Sequence, residues 1–165
     1  MNKDNVIIRK AQAQDLDRIW EISQAVLKTE DSYPFYKDSS KEKIMGYWGF
    51  GKNHLIVAEI NGKMVGFYKM KPNQVDLGDH IVNFGYMIDP KFQGKGIGTL
   101  LGKHSIEKAK KNGYSAIQFN AVTKVNTAAI KLWKKLGFSI VGEVPKAHRH
   151  PKLGPVSIYV MYKEL

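Results

Sequence analysis

Apolar residues fall along this chain in short alternating or continuous runs, separated by stretches where they return every three or four positions. A period of two marks strands and a period of 3.6 marks helices. Val6-Ile7-Ile8-Arg9-Lys10 reads as a first strand. Asp15 opens a helix whose apolar positions, Leu16, Ile19, Trp20 and Val26/Leu27, share one face. Glu30 to Ser40 reads as a loop and Lys41 to Phe50 as a short helix. Three aromatics in that loop, Tyr33, Phe35 and Tyr36, either pack beneath it as anchors or wall a pocket. His54–Ile60 and Lys63–Met70 flank Asn61-Gly62, the dipeptide that a two-residue type I′ hairpin favours. A looser turn over Pro72 to Gly78 leads into Ile81–Ile88, an apolar and aromatic central strand.

Beyond the central strand, Leu100 to Asn112 reads as a helix on which Gly98, Gly102, Ile106, Ala109 and Gly113 form a small-residue ridge for close approach to a sheet. Gly113 suits the left-handed stop after a helix. Ser115–Ala121 reads as a strand parallel to the central one, because a helix crosses between them. Asn126–Leu136 is a further amphipathic helix closed by Gly137, and Phe138–Val144 and Val156–Tyr162 are the last strands. Pro145 to Gly154, between them, is too polar and proline-rich for the centre of a strand. Residues 1–165 read as one domain without repeats or linkers.

The chemistry concentrates in Ile88-Asp89-Pro90-Lys91-Phe92-Gln93-Gly94-Lys95-Gly96-Ile97-Gly98-Thr99. Glycine lets a backbone approach a ligand closely, and a helix N-terminus offers unpaired N–H groups and partial positive charge. Together they make a socket for phosphate oxygens. The glycines at 94, 96 and 98 fit neither the G-x-x-x-x-G-K-[ST] nor the G-x-G-x-x-G pattern. A glycine-rich turn without a ligand is the bland alternative.

The strand followed by Gln-Gly-x-Gly-x-Gly resembles the acyl-CoA loop of the GNAT superfamily of N-acetyltransferases, roughly [Q/R]-x-x-G-x-[G/A]. A second signature agrees: Asn126, Ala129, Gly137 and Phe138 match the family's N-x-x-A-x-x-x-Y-x-x-x-G-F. The resemblance covers essentially the whole chain. It implies an α+β (α/β) fold: a central mixed, mostly antiparallel sheet with two splayed strands, flanked by about four helices. It implies acetyl-CoA as co-substrate, bound by Met87, Ile88, Gln93, Gly94, Lys95, Gly96, Ile97, Gly98, Thr99, Asn126, Ala129 and Trp133. It implies a catalytic set of Ile88, Asn120 and Asn126, and an acceptor site including Tyr33, Phe35, Asn83, Asn120 and His148. Residues 126 and 133 lie on one helix face, about 10 Å apart along the axis, enough for an extended pantetheine arm. Asn126 could equally serve as a helix N-cap.

One departure matters. Many family members carry tyrosine where this chain has Trp133, and an indole N–H is no useful acid at neutral pH. A narrower similarity is to a subgroup that includes the yeast N-acetyltransferase of toxic proline analogues. Its carriers are Tyr33-Pro34, Asn83, Phe119-Asn120-Ala121-Val122, Asn126 and the Pro145-to-Gly154 segment. Glu59, Asp89, His80 and His148 are candidates for a base, each with a structural role as its alternative.

Composition narrows the reading further. With no cysteine, the chain has neither disulfides nor an acyl-cysteine intermediate, and His148 with His150 alone makes a weak metal site, so no metal is expected. The polar Met1–Val6 lacks a signal-peptide core and no apolar run reaches a membrane span, which suggests a cytoplasmic protein without a membrane partner. The net charge is +11, and all but Arg9, Arg18 and Arg149 of the 26 basic residues are lysine. A lysine surplus reads as solvated surface that helps collect an anionic ligand, rather than as a nucleic-acid interface, which leans on arginine. The expected partner is a small-molecule amine acceptor: an amino acid, a proline analogue or a polyamine-like compound. The alternatives are a protein or peptide acceptor, a basic nucleic-acid binding module, and an acetyl-CoA sensor without catalysis; a homodimer stays open.

Overall fold

The computed structural model describes residues 6–29, 31–51 and 54–165. Most of the polar N-terminal segment (1–5) and Glu30, at the head of the predicted loop, lie outside the described residues. Among the described residues, seven strands form one sheet in the order β1-β2-β3-β4-β5-β7-β6. They are β1 Val6–Lys10, β2 His54–Ile60, β3 Lys63–Pro72, β4 Ile81–Ile88, β5 Ala116–Thr123, β6 Ser139–His150 and β7 Gly154–Glu164. The helices are α1 Leu16–Leu27, α2 Lys41–Trp48, α3 Ile97–Lys111 and α4 Thr127–Lys135. Every pairing is antiparallel except β4 with β5. The mixed, mostly antiparallel sheet with four helices is the architecture the family resemblance implies.

The turn chemistry explains the local folding. Asn61 and Gly62 both take positive φ (50° and 73°), as a type I′ turn requires. Gly113 and Gly137 end α3 and α4 at φ 80° and 88°. Ser40 caps α2 by accepting from the Lys43 N–H.

The sheet is buried on both faces, which makes its centre nearly continuous in apolar residues. On one face α3 and α4 pack over Tyr68, Phe84, Ile117, Phe119 and Met161. On the other, α1 and α2 pack over Val57, Phe67 and Met87, with Trp48 fully buried against Phe67 at 4.7 Å between ring centroids.

Two sequence expectations are corrected. The small-residue ridge of α3 meets α4 rather than the sheet alone. A Cβ on Gly102 would lie 2.5 Å from Leu136 and 3.3 Å from Trp133, and one on Gly98 would sit 3.1 Å from both Leu132 and Ile88. The segment Pro145–His150 is strand, continuing β6. β6 is the sheet edge, where a missing N–H costs no ladder bond, and the register slips between Val144 and His148 with Lys146 at φ 55°.

Candidate active site

The site begins where the sheet comes apart. β4 and β5 pair only at Ile81↔Ala116 and Val82↔Ile117. The Asn83 side chain makes the last stitch, its Nδ2 donating to the Gln118 carbonyl at 2.8 Å. Beyond it β5 bulges between Phe119 and Val122, the two strands diverge, and a cavity of about 690 Å³ opens.

Strand parity decides which backbone groups face the gap. The Asp89 N–H donates to the Val65 carbonyl, and the register runs Gly66↔Ile88, Phe67↔Met87, Tyr68↔Tyr86. In an antiparallel pair, hydrogen-bonded and non-bonded positions alternate. Ile88 and Tyr86 therefore turn their N–H and C=O toward the gap, while those of Met87 are spent on β3. The Tyr86 carbonyl confirms the parity by accepting the Tyr33 hydroxyl at 2.7 Å. Of the two residues expected to offer backbone contacts, Ile88 turns its groups to the gap and Met87 does not; the Met87 residue still lines the cavity.

At one mouth lie Gln93, Gly94, Gly96, Gly98 and Thr99, leading into the first turn of α3. Gly94 and Gly96 hold φ 73° and 86°, a conformation that side chains with a Cβ avoid. No neighbouring atom would obstruct a Cβ on Gly94, so that edge of the loop is open. Ile97 is 1% exposed and points into the core, contributing only its backbone. The Lys95 ammonium sits 4.8 Å from the Phe92 ring centroid and is absent from the cavity lining.

The long walls come from α4 and β5. Asn126 caps α4, its Oδ1 accepting from the Ala129 N–H at 3.1 Å. Ala129, Leu132 and Trp133 line the cavity, and Trp133 packs at 4.7–4.8 Å against Phe119 and Tyr86. The Tyr86 hydroxyl is engaged with Ser105 Oγ at 2.6 Å, and burial raises its pKa well above the tyrosine norm. Asn120 lines the cavity on the bulge, with both ends of its amide committed, accepting from Gln118 and donating to Asn73.

At the other mouth are Tyr33, Tyr47, Lys69, Lys71 and Asn83. These face α1 and α2, whereas Tyr86, Phe119 and Trp133 face α3 and α4. The cavity thus passes through the sheet. Two predicted acceptor residues stay outside its lining. Phe35 packs edge-on against Tyr47 at 5.0 Å, with the Lys43 ammonium 5.8 Å from its ring. His148 pairs with Val156 in the edge hairpin β6–β7.

The four candidate bases also lie elsewhere. Glu59 is paired with Arg9, and Asp89 with Arg18. His80 is exposed and holds Ser115 through its carbonyl. Among the described residues, no Asp, Glu or His lines the cavity, and no group of three or more His, Cys, Asp or Glu is placed to hold a metal. His150 instead bonds Asp31 at 2.8 Å, while its Nδ1 accepts from the backbone of Lys152 and Leu153.

Sequence reasoning missed Lys69. It is 2% exposed, its Nζ donates to the Tyr47 carbonyl at 2.8 Å, and it lies 3.0 Å from the centroid of the Tyr47 ring. Burial, and then the nearby Lys71 ammonium, pull its pKa down to about 7. Its signal was legible: a lysine inside Met64–Met70, a strand buried on both faces, is a rare placement.

The sequence pattern of the Acetyltransferase (GNAT) family matches residues 8–138. The chain belongs to this family. It is 31% identical over 166 residues to an N-alpha-acetyltransferase of Sulfurisphaera tokodaii, covering 93% of this chain and 90% of that protein. It is 33% identical over 97 residues to N-acetyltransferase aca1 of Schizosaccharomyces pombe, covering 58% of this chain. The match spans about half of that relative's length, 46%. The structure of a GCN5-related N-acetyltransferase from Kribbella flavida superposes with a TM-score of 0.92 at 31% identity, covering 98% of this GNAT chain and 99% of that one. Among the described residues, no helix is long and apolar enough to cross a membrane.

Proposed function

We propose that the chain transfers an acetyl group from acetyl-CoA directly to the amine of a small molecule. The observation that carries this reading is the cavity through the split sheet, with a glycine-lined helix N-terminus at one mouth and polar side chains at the other. The amides of residues 93–99 hold the diphosphate of the donor, where the α3 dipole favours negative charge. The pantetheine arm lies between β4 and β5, against Ala129 and Trp133. It takes its backbone hydrogen bond from Ile88, whose N–H also faces a developing oxyanion. Asn126 spends Oδ1 on the helix cap and keeps Nδ2 for the arm. With no cysteine in the chain, the amine attacks the thioester directly, and alignment of two bound substrates supplies much of the rate.

The acceptor enters from the α1/α2 side, past Tyr33 and Asn83. Lys69 and Lys71 line that mouth, and no carboxylate lines the cavity among the described residues. A polyamine finds no counter-charge there, whereas an amine bearing a carboxylate, such as an amino acid or proline analogue, meets the ammonium of Lys71. A peptide N-terminus is the second reading, supported by the likeness to the Sulfurisphaera tokodaii N-alpha-acetyltransferase along nearly the full chain.

Thiol release from acetyl-CoA against amino acids, proline analogues, polyamines and short peptides tests both readings. Turnover is expected with amino acids or proline analogues and not with polyamines. Turnover confined to peptides would replace the small-molecule acceptor, and no release with any amine would refute transferase activity.

A further inference from the structure

We propose that Lys69 takes the proton released by the acceptor amine during acetyl transfer, an inference that rests on the acetyltransferase reading above. The geometry carries it. Lys69 pairs with Gly85 across the β3–β4 ladder and lines the acceptor end of the cavity. A Cβ on Gly85 would come within 3.4 Å of Lys69 Cε and 3.3 Å of the Tyr33 hydroxyl, so the glycine keeps the space that the lysine chain fills. One N–H of the amine is fixed on the Tyr47 carbonyl. In the neutral amine this anchor leaves the nitrogen lone pair for a proton.

Burial and the Lys71 ammonium favour that neutral form and outweigh the Tyr47 carbonyl and ring, which favour the cation. Tyr33 faces the lysine from the loop before α2, Tyr47 from α2, Asn83 and Gly85 from β4, Lys71 from its own strand, and Leu55 is its partner on β2. Burial raises the pKa of Tyr33 and carries that of Tyr47 to about 12, so both phenols stay protonated at neutral pH. The one ammonium in this group, Lys71, repels a second. No carboxylate lines the cavity among the described residues, so no ion pair locks Lys69 in its charged state. An amine that titrates near pH 7 is matched to general base work at physiological pH.

The step balances without a co-reactant. The acceptor nitrogen forms a bond to the thioester carbonyl carbon, and the carbonyl π pair moves to oxygen. The nitrogen, now cationic, gives its proton to the Lys69 lone pair. The oxygen pair re-forms the carbonyl, the C–S bond breaks and sulfur keeps the electrons. Lys69 passes its proton to the thiolate or to solvent, leaving an N-acetyl product and free thiol.

A lysine could instead act as a fixed cation, and the Lys69→Arg variant separates the two roles, because guanidinium keeps its charge and does not accept a proton. The experiment is the pH profile of kcat/KM for wild type, Lys69→Met and Lys69→Arg, with acetyl-CoA affinity measured on each by calorimetry. Both variants are expected to lose on the order of 100-fold in kcat while binding acetyl-CoA within about threefold of wild type, and both should lose the rise in rate around pH 7. Wild-type turnover in Lys69→Arg, or a rise near pH 7 that persists in Lys69→Met, overturns the inference. If Lys69→Met does not fold, the wild-type profile decides alone: no ionisation near pH 7 contradicts the role. If the wild type acetylates no amine, the acetyltransferase reading itself falls; active wild type with unaffected variants removes only Lys69.

Discussion

The β3–β4 ladder buries one charged side chain at its middle, Lys69 beside Gly85, and another just past its end, Asp89 after Ile88, and the two are treated in opposite ways. Asp89 is 6% exposed, bonds Arg18, and caps the following turn by accepting from the Lys91 N–H at 2.9 Å. Burial works against its carboxylate, but the Lys91 N–H and the Arg18 guanidinium outweigh it and hold the pKa below the ordinary range. Lys69 is buried more deeply, has only a carbonyl and two aromatic faces for company, and is pulled toward neutrality. A buried charge met by its opposite holds structure together. One left without its opposite beside a cavity is the residue proposed to take a proton.

Stability against pH sharpens that contrast, because the signs differ. The folded-state pKa of Lys69 is depressed, so between about pH 7 and pH 10 the unfolded chain binds more protons and stability rises with pH. Lys69→Met removes this rise and stabilises the protein near neutrality by about 3 kcal/mol. This is less than the full pKa conversion because the rings and the Tyr47 carbonyl favour the cation. Denaturant titrations of both proteins between pH 6 and 10 measure it; parallel curves contradict a depressed Lys69. The Asp89 pKa is lowered, so its contribution is present above the unfolded carboxylate value and lost as pH falls through the folded one. Asp89→Ala strands Arg18 and uncaps the Lys91 turn, and is expected to cost about 2 kcal/mol at neutral pH, with the loss shrinking in acid.

The next effect belongs to Asn126. Asn126→Ala removes the α4 cap at a cost of about 1 kcal/mol and lowers turnover or acetyl-CoA affinity severalfold. Thermal melts and steady-state kinetics read the two losses separately, and unchanged kinetics would reduce Asn126 to a cap. The smallest effect is expected at Lys124, whose exposed pair with Glu143 spans 3.0 Å: Lys124→Ala should leave the thermal midpoint within experimental error of wild type.

The sequence made some features of this molecule legible and hid others for physical reasons. Asn61-Gly62, Gly113 and Gly137 have backbone demands that few other residues meet, so hairpin and helix ends were readable. The apolar run Ile81–Ile88 and the glycines after it located the central strand and the loop at its end, and the family resemblance implied the split. Pro145–His150 was not readable as strand, because edge position and a register slip excuse a proline that an inner strand would reject. Phe35 was expected at the acceptor site as an aromatic of a loop that could wall a pocket, and His148 as a candidate base; packing turned one onto Tyr47 and placed the other in the edge hairpin. Lys69 was overlooked because a lysine is expected in solvent, although its place within the mostly apolar run Met64–Met70, which the fold buries on both faces, was the signal that could have found it.

The claim on which the account rests is that a thioester donor occupies the gap between β4 and β5 with its diphosphate on the loop at 93–99. Calorimetric titration of the wild type and of Gly96→Val with acetyl-CoA tests it most directly. The account predicts one saturable site per chain in the wild type, and affinity at least about tenfold weaker in the variant, whose added side chain strains the φ of 86° and crowds the socket. Folded wild-type protein that takes up no acetyl-CoA at millimolar concentration, or a variant that binds as tightly as wild type, contradicts it.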